Sequence, residues 1–174
     1  MRFCLALARH VGVLHAVEDH HLPVDALVGT SSGALVGALW SAGWSAERIG
    51  AERQEVRPLT LMGLHWAPWQ GAFSLEPLIA WLDARLPPTF ADLPRPFGVG
   101  VVGGDGQPRL VREGPLARAI AGSCAMPYVF AAVALGQERV RDGGAADRLM
   151  LGPWRHWRGD RPVLIHLVER TAGK

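Results

Sequence analysis

The stretch that decides the fold is residues 24–39, which read Val-Asp-Ala-Leu-Val-Gly-Thr-Ser-Ser-Gly-Ala-Leu-Val-Gly-Ala-Leu. Its first part, Val24–Val28, is a short apolar run that predicts a buried strand. The following segment, Ser32–Ala42, is apolar on all sides and predicts a helix buried on most of its circumference, with Gly43 at its end. A strand, a tight turn and a helix therefore follow one another around Ser31.

The turn between strand and helix, Gly29-Thr30-Ser31-Ser32-Gly33, fits the pattern Gly-x-Ser-x-Gly. Such a turn holds its serine in an unfavourable backbone conformation and projects the hydroxyl above the sheet, while N–H groups at the helix start face a developing oxyanion. Positions 29 and 33, both occupied by glycine, require small residues because they approach each other across the turn. A Gly/Ser turn that only caps the helix is the plainer alternative. The strand–turn–helix setting favours Ser31 as a nucleophile, ahead of Ser32, which lacks the glycine spacing.

The rest of the chain alternates between strand and helix patterns. Phe3–Ala8 predicts a first strand, and an apolar helical rhythm from Val11 predicts a helix that Pro23 ends. Later strands are predicted at residues 97–102, 133–135, 139–141 and 163–168, with helices between them. This order predicts an α/β fold, a three-layer α/β/α sandwich with a mainly parallel central sheet, as a single domain over residues 1–174.

Composition limits the classes of function. The 174 residues are 49% hydrophobic and 20% charged, which is typical of a globular protein, and a net charge of +2 is too small to indicate nucleic-acid binding. The N-terminal apolar stretch is too short for a signal peptide, and no stretch is long enough for a membrane span. Cys4 and Cys124 form no ligand or disulfide pattern. We expect a cytoplasmic protein with no cofactor and no metal.

A serine nucleophile needs a base. Histidines His156 and His166 follow in the order Ser–Asp–His. Enzymes with that triad place the nucleophile after several strands, whereas here only one predicted strand comes before the strand that leads into Ser31. Another candidate is Asp142, which ends a predicted strand and precedes Gly143 and Gly144. Asp-Gly pairs are also common in plain turns, so this motif alone leaves the base open. The other histidines near the start are His10, His15, His20 and His21.

Three blocks in this order resemble the patatin-like phospholipase family over nearly the whole chain: residues 24–39, residues 114–130 and residues 141–144 (Arg-Asp-Gly-Gly). The resemblance implies a Ser31–Asp142 dyad instead of a triad. Ser31 would attack an ester carbonyl while Asp142 takes its proton, and water activated by Asp142 would release the fatty acid from an acyl-enzyme. The implied substrate is a lipid acyl ester, whether phospholipid, lysophospholipid or neutral lipid.

One departure from the family concerns the oxyanion hole. The family carries a glycine-rich loop with an arginine between its first strand and first helix, whereas here residues 5–8 run directly into Arg9 with no glycines between them. Either the loop is lost, or residues are missing from the chain between Ala8 and Arg9. The second explanation is favoured because Ala8-Arg9 is similar to the end of such a loop. Losing one oxyanion donor typically costs ~10²–10³-fold in rate.

An apolar segment, Leu59–Phe73, contains Trp66, Trp69 and Phe73 between proline and glycine breaks. Ordinary core is one interpretation, and an acyl-chain channel or a lid that contacts a lipid surface is the other. A small net charge predicts at most transient contact with a membrane. The main alternative to an enzyme is a lipid-binding relative with an incomplete oxyanion hole, and the oligomeric state is left open.

Overall fold

A computed structural model describes residues 2–55, 58–66 and 71–168. Within these ranges the helices are α1 (Arg2–Asp19), α2 (Ser32–Ser41), α3 (Ala46–Glu55), α4 (Glu76–Asp83), α5 (Leu116–Cys124) and α6 (Leu151–Arg158). The strands are β1 (Leu27–Thr30), β2 (Gly63–Leu64), β3 (Phe73–Ser74), β4 (Phe97–Val102), β5 (Pro108–Val111), β6 (Val133–Leu135) and β7 (Glu138–Asp142).

The main sheet is built around β4, which pairs with three strands. β1 runs parallel to β4, from Leu27 opposite Phe97 to Thr30 opposite Gly100. β5 and β7 run antiparallel to β4, and both reach Val101. β5 pairs with Gly100, as β1 does, and with Val101, as β7 does. β5 therefore occupies one edge of β4, and β1 and β7 share the other edge. β6 joins as the hairpin partner of β7.

The shared edge brings two strand ends together. β1 ends at Thr30, opposite Gly100, and β7 ends at Asp142, opposite the next residue, Val101. One strand is parallel to β4 and the other antiparallel, so their C-terminal ends meet head to head. Ser31 follows Thr30 directly, and the register of the sheet therefore places Ser31 beside Asp142.

Helices pack on both faces of this sheet. On one face, α2 packs closely: a Cβ added to its Gly37 would lie only 2.8 Å from Leu27 and 3.0 Å from Phe97. On the opposite face, Met150, which directly precedes α6, packs against Gly100, where an added Cβ would lie 2.7 Å from it. The predicted layered α/β fold is confirmed. The sheet is mixed, since the described strand pairs other than β1–β4 are antiparallel.

The start of the chain differs from its predicted structure. Phe3–Ala8 is not a strand but the first part of α1. The apolar stripe of the helix begins one turn before Val11, because Leu7 is buried along with Val11, Leu14 and Val17 at helical spacing. α1 passes through Ala8-Arg9 without a break, so it leaves no place for a loop there.

The last predicted strand is also wrong. Residues 163–168 are extended but pair with no strand in the described part of the chain. An apolar run becomes a strand only where a neighbour offers backbone groups for pairing. Here the segment instead borders a cavity of about 530 Å³ together with α1 and β1. The predicted strand at residues 97–102 and the hairpin that ends at Asp142 are confirmed.

Candidate active site

Ser31 lies at a sharp elbow between β1 and α2. Its backbone has φ 50° and ψ −123°, a conformation that costs roughly 1–3 kcal/mol for a residue with a side chain. The Ser31 N–H donates to the Ser123 hydroxyl at 2.8 Å, and that hydroxyl donates to the Gly100 carbonyl at 2.7 Å. Ser123 is fully buried in α5. The strained elbow is therefore tied by a side chain to the central strand.

The two glycines of the elbow are unequal. A Cβ on Gly29 would lie 2.5 Å from the Gly33 carbonyl oxygen and 2.6 Å from the Ala34 nitrogen, distances at which the backbone must move. A Cβ on Gly33 would meet only the His10 ring, at 3.6 Å, an ordinary contact. The expected close approach across the turn thus demands glycine at position 29, whereas the protein atoms around position 33 leave room for a methyl group.

Asp142 ends β7 and is buried. Its carboxylate accepts a hydrogen bond from the Gly144 N–H at 2.8 Å. Burial raises the pKa of this carboxyl above its usual value, and the Gly144 N–H and the nearby Ser31 hydroxyl oppose that shift. The Asp142 N–H donates to the Ala125 carbonyl at 3.1 Å. The end of α5 therefore holds both Ser31 and Asp142.

The two glycines after Asp142 have separate effects. A Cβ on Gly143 would lie 2.4 Å from the Gly100 carbonyl oxygen, so only glycine allows the chain to pass this close to β4. The Gly144 N–H donates a hydrogen bond to the Asp142 carboxylate. The Asp-Gly-Gly motif thus combines a close approach to the sheet with a donor for the carboxylate.

A cavity of about 690 Å³ opens over Ser31 and Asp142. Arg9 borders it from within α1, so the expected position of Arg9 in a glycine-rich loop is wrong: its N–H belongs to a helix. The loop after α5 borders it on another side through Met126, Pro127 and Tyr128.

Two of the predicted substrate-lining residues, Trp66 and Phe73, do not line this cavity. Trp66 is 83% exposed and is not among the residues that line the cavity. Phe73 is half-buried against the core, with its ring 6.3 Å from that of Phe130, because β3 joins the loop after α5 through backbone hydrogen bonds. Trp69 lies outside the described residues. For Phe73, the interpretation as core is the correct one.

Two histidines meet at the elbow. His10 Nε2 lies 3.1 Å from the Ser32 hydroxyl oxygen, and His10 Nδ1 lies 3.1 Å from His166 Nδ1. Burial, followed by the charge of His166, lowers the pKa of His10 to about 4. His166 contacts His10, whereas the Ser31 hydroxyl lowers the pKa of Asp142. His156 lies in α6 and is absent from the cavity lining.

Ser123 and His10 are site residues that the sequence did not reveal as such. The only signal for Ser123 is its place in the block of residues 114–130, and nothing in its spacing shows that its hydroxyl bonds to the elbow. His10 falls on α1 at a position that sequence alone assigns to a polar helix face. Both residues reach the site through contacts between different elements, and the sequence of a single segment does not reveal such contacts.

Among the described residues, none of the helices has the length and the apolar character needed to cross a bilayer. In the same part of the chain, no three His, Cys, Asp or Glu side chains form a group that could hold a metal ion.

A serine on a sharp strand-to-helix turn above a sheet is typical of serine hydrolases. A model of the patatin-like phospholipase family matches residues 6–153, which include the elbow and the Asp-Gly-Gly turn. The chain belongs to the patatin-like phospholipase family.

Relatives among curated proteins support the same assignment. They include uncharacterized NTE family proteins of Mycobacterium bovis and of two strains of Mycobacterium tuberculosis, each 27% identical over 170 residues. The alignments cover 94% of this chain and 46% of each relative. The chain thus spans about half the length of the curated relatives it matches.

Proposed function

We propose that this chain is a lipid acyl hydrolase in which Ser31 is the nucleophile and Asp142 its base, within one domain over residues 1–174. The observation that carries the proposal is the position of Ser31, on a strained elbow, next to a buried carboxylate at the end of a neighbouring strand, with both residues lining one cavity. Burial supports the role of base, because a carboxylate with a raised pKa takes a proton more readily.

The reaction proceeds in two halves. Ser31 Oγ bonds to the ester carbonyl carbon while its proton passes to Asp142, and the tetrahedral intermediate then expels the alcohol, which takes that proton. A water molecule next gives its proton to Asp142 and attacks the acyl-enzyme. The fatty acid leaves as the Ser31 oxygen regains the proton. Each half returns the carboxylate to its ionised state.

The test is hydrolysis of p-nitrophenyl butyrate and of a phosphatidylcholine by the wild type and by Ser31→Ala. We expect p-nitrophenol and free fatty acid from the wild type, and no release above the buffer rate from Ser31→Ala. Equal rates from the two proteins would reject the proposal. A wild type that binds the lipid without cleaving it would favour the alternative, a lipid-binding relative.

We further propose that the protein takes its substrate from a membrane surface, which it contacts without spanning it. An apolar rim consists of Leu64, Trp66, Tyr128 and Val129, of which the first three are 89%, 83% and 96% exposed. Tyr128 also lines the cavity. β3, which pairs with Leu64, joins the loop of Tyr128 and Val129 because the Phe73 N–H donates to the Val129 carbonyl at 3.1 Å. Exposed tryptophan and tyrosine are typical of contacts with a lipid interface.

The double variant Leu64→Ala/Trp66→Ala is therefore expected to lose activity on vesicles but not on a soluble ester, since neither side chain lines the cavity. Its hydrolysis of phosphatidylcholine vesicles should fall about tenfold or more, since each large apolar side chain contributes roughly 1.5–3 kcal/mol when fully buried. Its kcat/KM for p-nitrophenyl butyrate should stay unchanged. The matched control is Leu22→Ala, which removes an exposed leucine outside the rim, three residues after the end of α1. A parallel loss on both substrates, or none on vesicles, would contradict the membrane role.

A further inference from the structure

The feature that the reaction above leaves unused is the hydrogen-bonded chain from Ser32 through His10 to His166. The two contacts are 3.1 Å each, and the imidazole rings meet edge to face with centroids 4.9 Å apart. All three residues line the cavity that holds Ser31 and Asp142. His10 comes from α1, Ser32 from the first turn of α2, and His166 from the extended segment after α6, so three separate parts of the fold converge here.

The oxyanion that forms on the ester carbonyl needs hydrogen-bond donors. The Ser31 N–H is already bound to Ser123, and residues 2–19 form a helix in place of a glycine-rich loop. The first turn of α2 supplies N–H groups that have no partner within the helix. Beside these N–H groups lies a side-chain donor, the hydroxyl of Ser32, the residue next to Ser31.

We propose that the Ser32 hydroxyl donates a hydrogen bond to the oxyanion and that His10, supported by His166, holds it in that orientation. This inference rests on the proposed hydrolase function. It assigns Ser32 as a catalytic residue, and His10 and His166 as positioning residues.

The protonation of His10 and His166 determines the direction of the hydrogen bonds that link Ser32, His10 and His166. Burial and a neighbouring charge lower the pKa values of both His10 and His166, the latter beside Arg9, so each ring is neutral and carries one proton at neutral pH. When His166 Nδ1–H donates to His10 Nδ1, the His10 proton sits on Nε2 and is donated to Ser32 Oγ. The Ser32 proton is then directed into the cavity. The reverse direction would make Ser32 donate to His10 and leave the oxyanion facing its lone pairs.

Kinetics of Ser32 variants test the first half of the proposal. Ser32→Ala should lower kcat on p-nitrophenyl butyrate by ~10²–10³-fold, the usual effect of losing one oxyanion donor, with little change in KM. Ser32→Thr keeps the hydroxyl and should retain most of the activity. His10→Phe should approach the loss in Ser32→Ala, while His10→Gln, whose amide can donate at the Nε2 position, should recover part of it. An unchanged kcat in Ser32→Ala overturns the proposal.

The protonated nitrogen of His10 gives a readout that does not depend on activity. Imidazole ¹⁵N NMR of the wild type should show neutral His10 with its proton on Nε2, and His166→Ala should alter that signal. A proton on Nδ1 would overturn the proposal even if Ser32→Ala were slow.

Failure of the underlying function has a separate signature. If Ser31→Ala retains the wild-type rate, the hydrolase assignment fails, whereas full activity in Ser32→Ala with an inactive Ser31→Ala removes only the role of Ser32. Covalent labelling of Ser32 instead of Ser31 by a fluorophosphonate would show that Ser32 gives up its proton to His10, the reverse of the direction proposed.

Discussion

Asp142→Asn is expected to lower kcat on the order of 10⁴-fold, the scale seen when an orienting or proton-accepting carboxylate is removed from a serine hydrolase. Asn keeps an oxygen for the Gly144 N–H, so the turn after β7 should persist. It cannot take the Ser31 proton, and the hydroxyl therefore remains a weak nucleophile.

The same substitution is expected to stabilise the fold at neutral pH. Burial raises the pKa of Asp142, so the ionised carboxylate, which the reaction requires, is the less stable form inside the protein. Stability contributed by the protonated group is present at low pH and is lost as pH rises through its folded pKa. The stability advantage of Asp142→Asn should thus grow with pH across that range and then level off.

Urea unfolding of both proteins between pH 4 and pH 8, with kcat/KM measured in parallel, checks that Asp142→Asn gains stability and loses activity. The wild-type rate should fall with acid at a pH above the ordinary range of an aspartate, because only the ionised base accepts a proton. The control is Asp105→Asn in the β4–β5 turn, where the Gln107 N–H and Arg109 lower the pKa of an exposed carboxyl. Asp105→Asn should leave hydrolysis unchanged. An active Asp142→Asn would remove the aspartate from the mechanism.

Gly29→Ala is expected to abolish most activity by displacing the elbow. The added methyl group would lie 2.5 Å from the Gly33 carbonyl oxygen, and that atom belongs to the backbone, so the turn itself must open. Such overpacking costs about 1–3 kcal/mol of stability. A shift of the nucleophile by about 1 Å can cost ~10²-fold in rate.

Gly33→Ala is the matched control at the opposite end of the same turn. Its methyl group would meet only the His10 ring at 3.6 Å, so the melting temperature should stay close to that of the wild type. Thermal unfolding and ester hydrolysis of the two variants, measured together, should separate them clearly. If both variants behaved alike, the unequal crowding at the elbow would not govern its geometry.

The sequence predicted the elements around the elbow because each one carries its own local signal. β4 is a buried run followed by glycines, the hairpin that ends at Asp142 has Gly136 in its turn, and α2 is apolar on all sides. The first strand was wrong because Leu7 fits both an apolar run and the stripe that continues from Val11. Only packing of that stripe against the core decides for the helix.

The sequence predicted part of the site, because Ser31 and Asp142 stand in recognisable motifs. The register of β1 and β7 on β4 places these two residues together. Ser123, His10 and His166 carry no motif: the sequence gives their chemistry but not their neighbours. The apolar segment around Phe73 showed the opposite error, since aromatic residues that pack a core look the same in sequence as those that line a substrate channel.

The central claim is that Ser31 is the nucleophile, and the most direct measurement is mass-spectrometric mapping of the wild type after reaction with a fluorophosphonate. The account predicts one phosphonyl group per chain, on Ser31, with no labelling of Ser31→Ala and much slower labelling of Asp142→Asn. A label on Ser32 or any other residue, or a wild type that remains unlabelled while it hydrolyses esters, would contradict it.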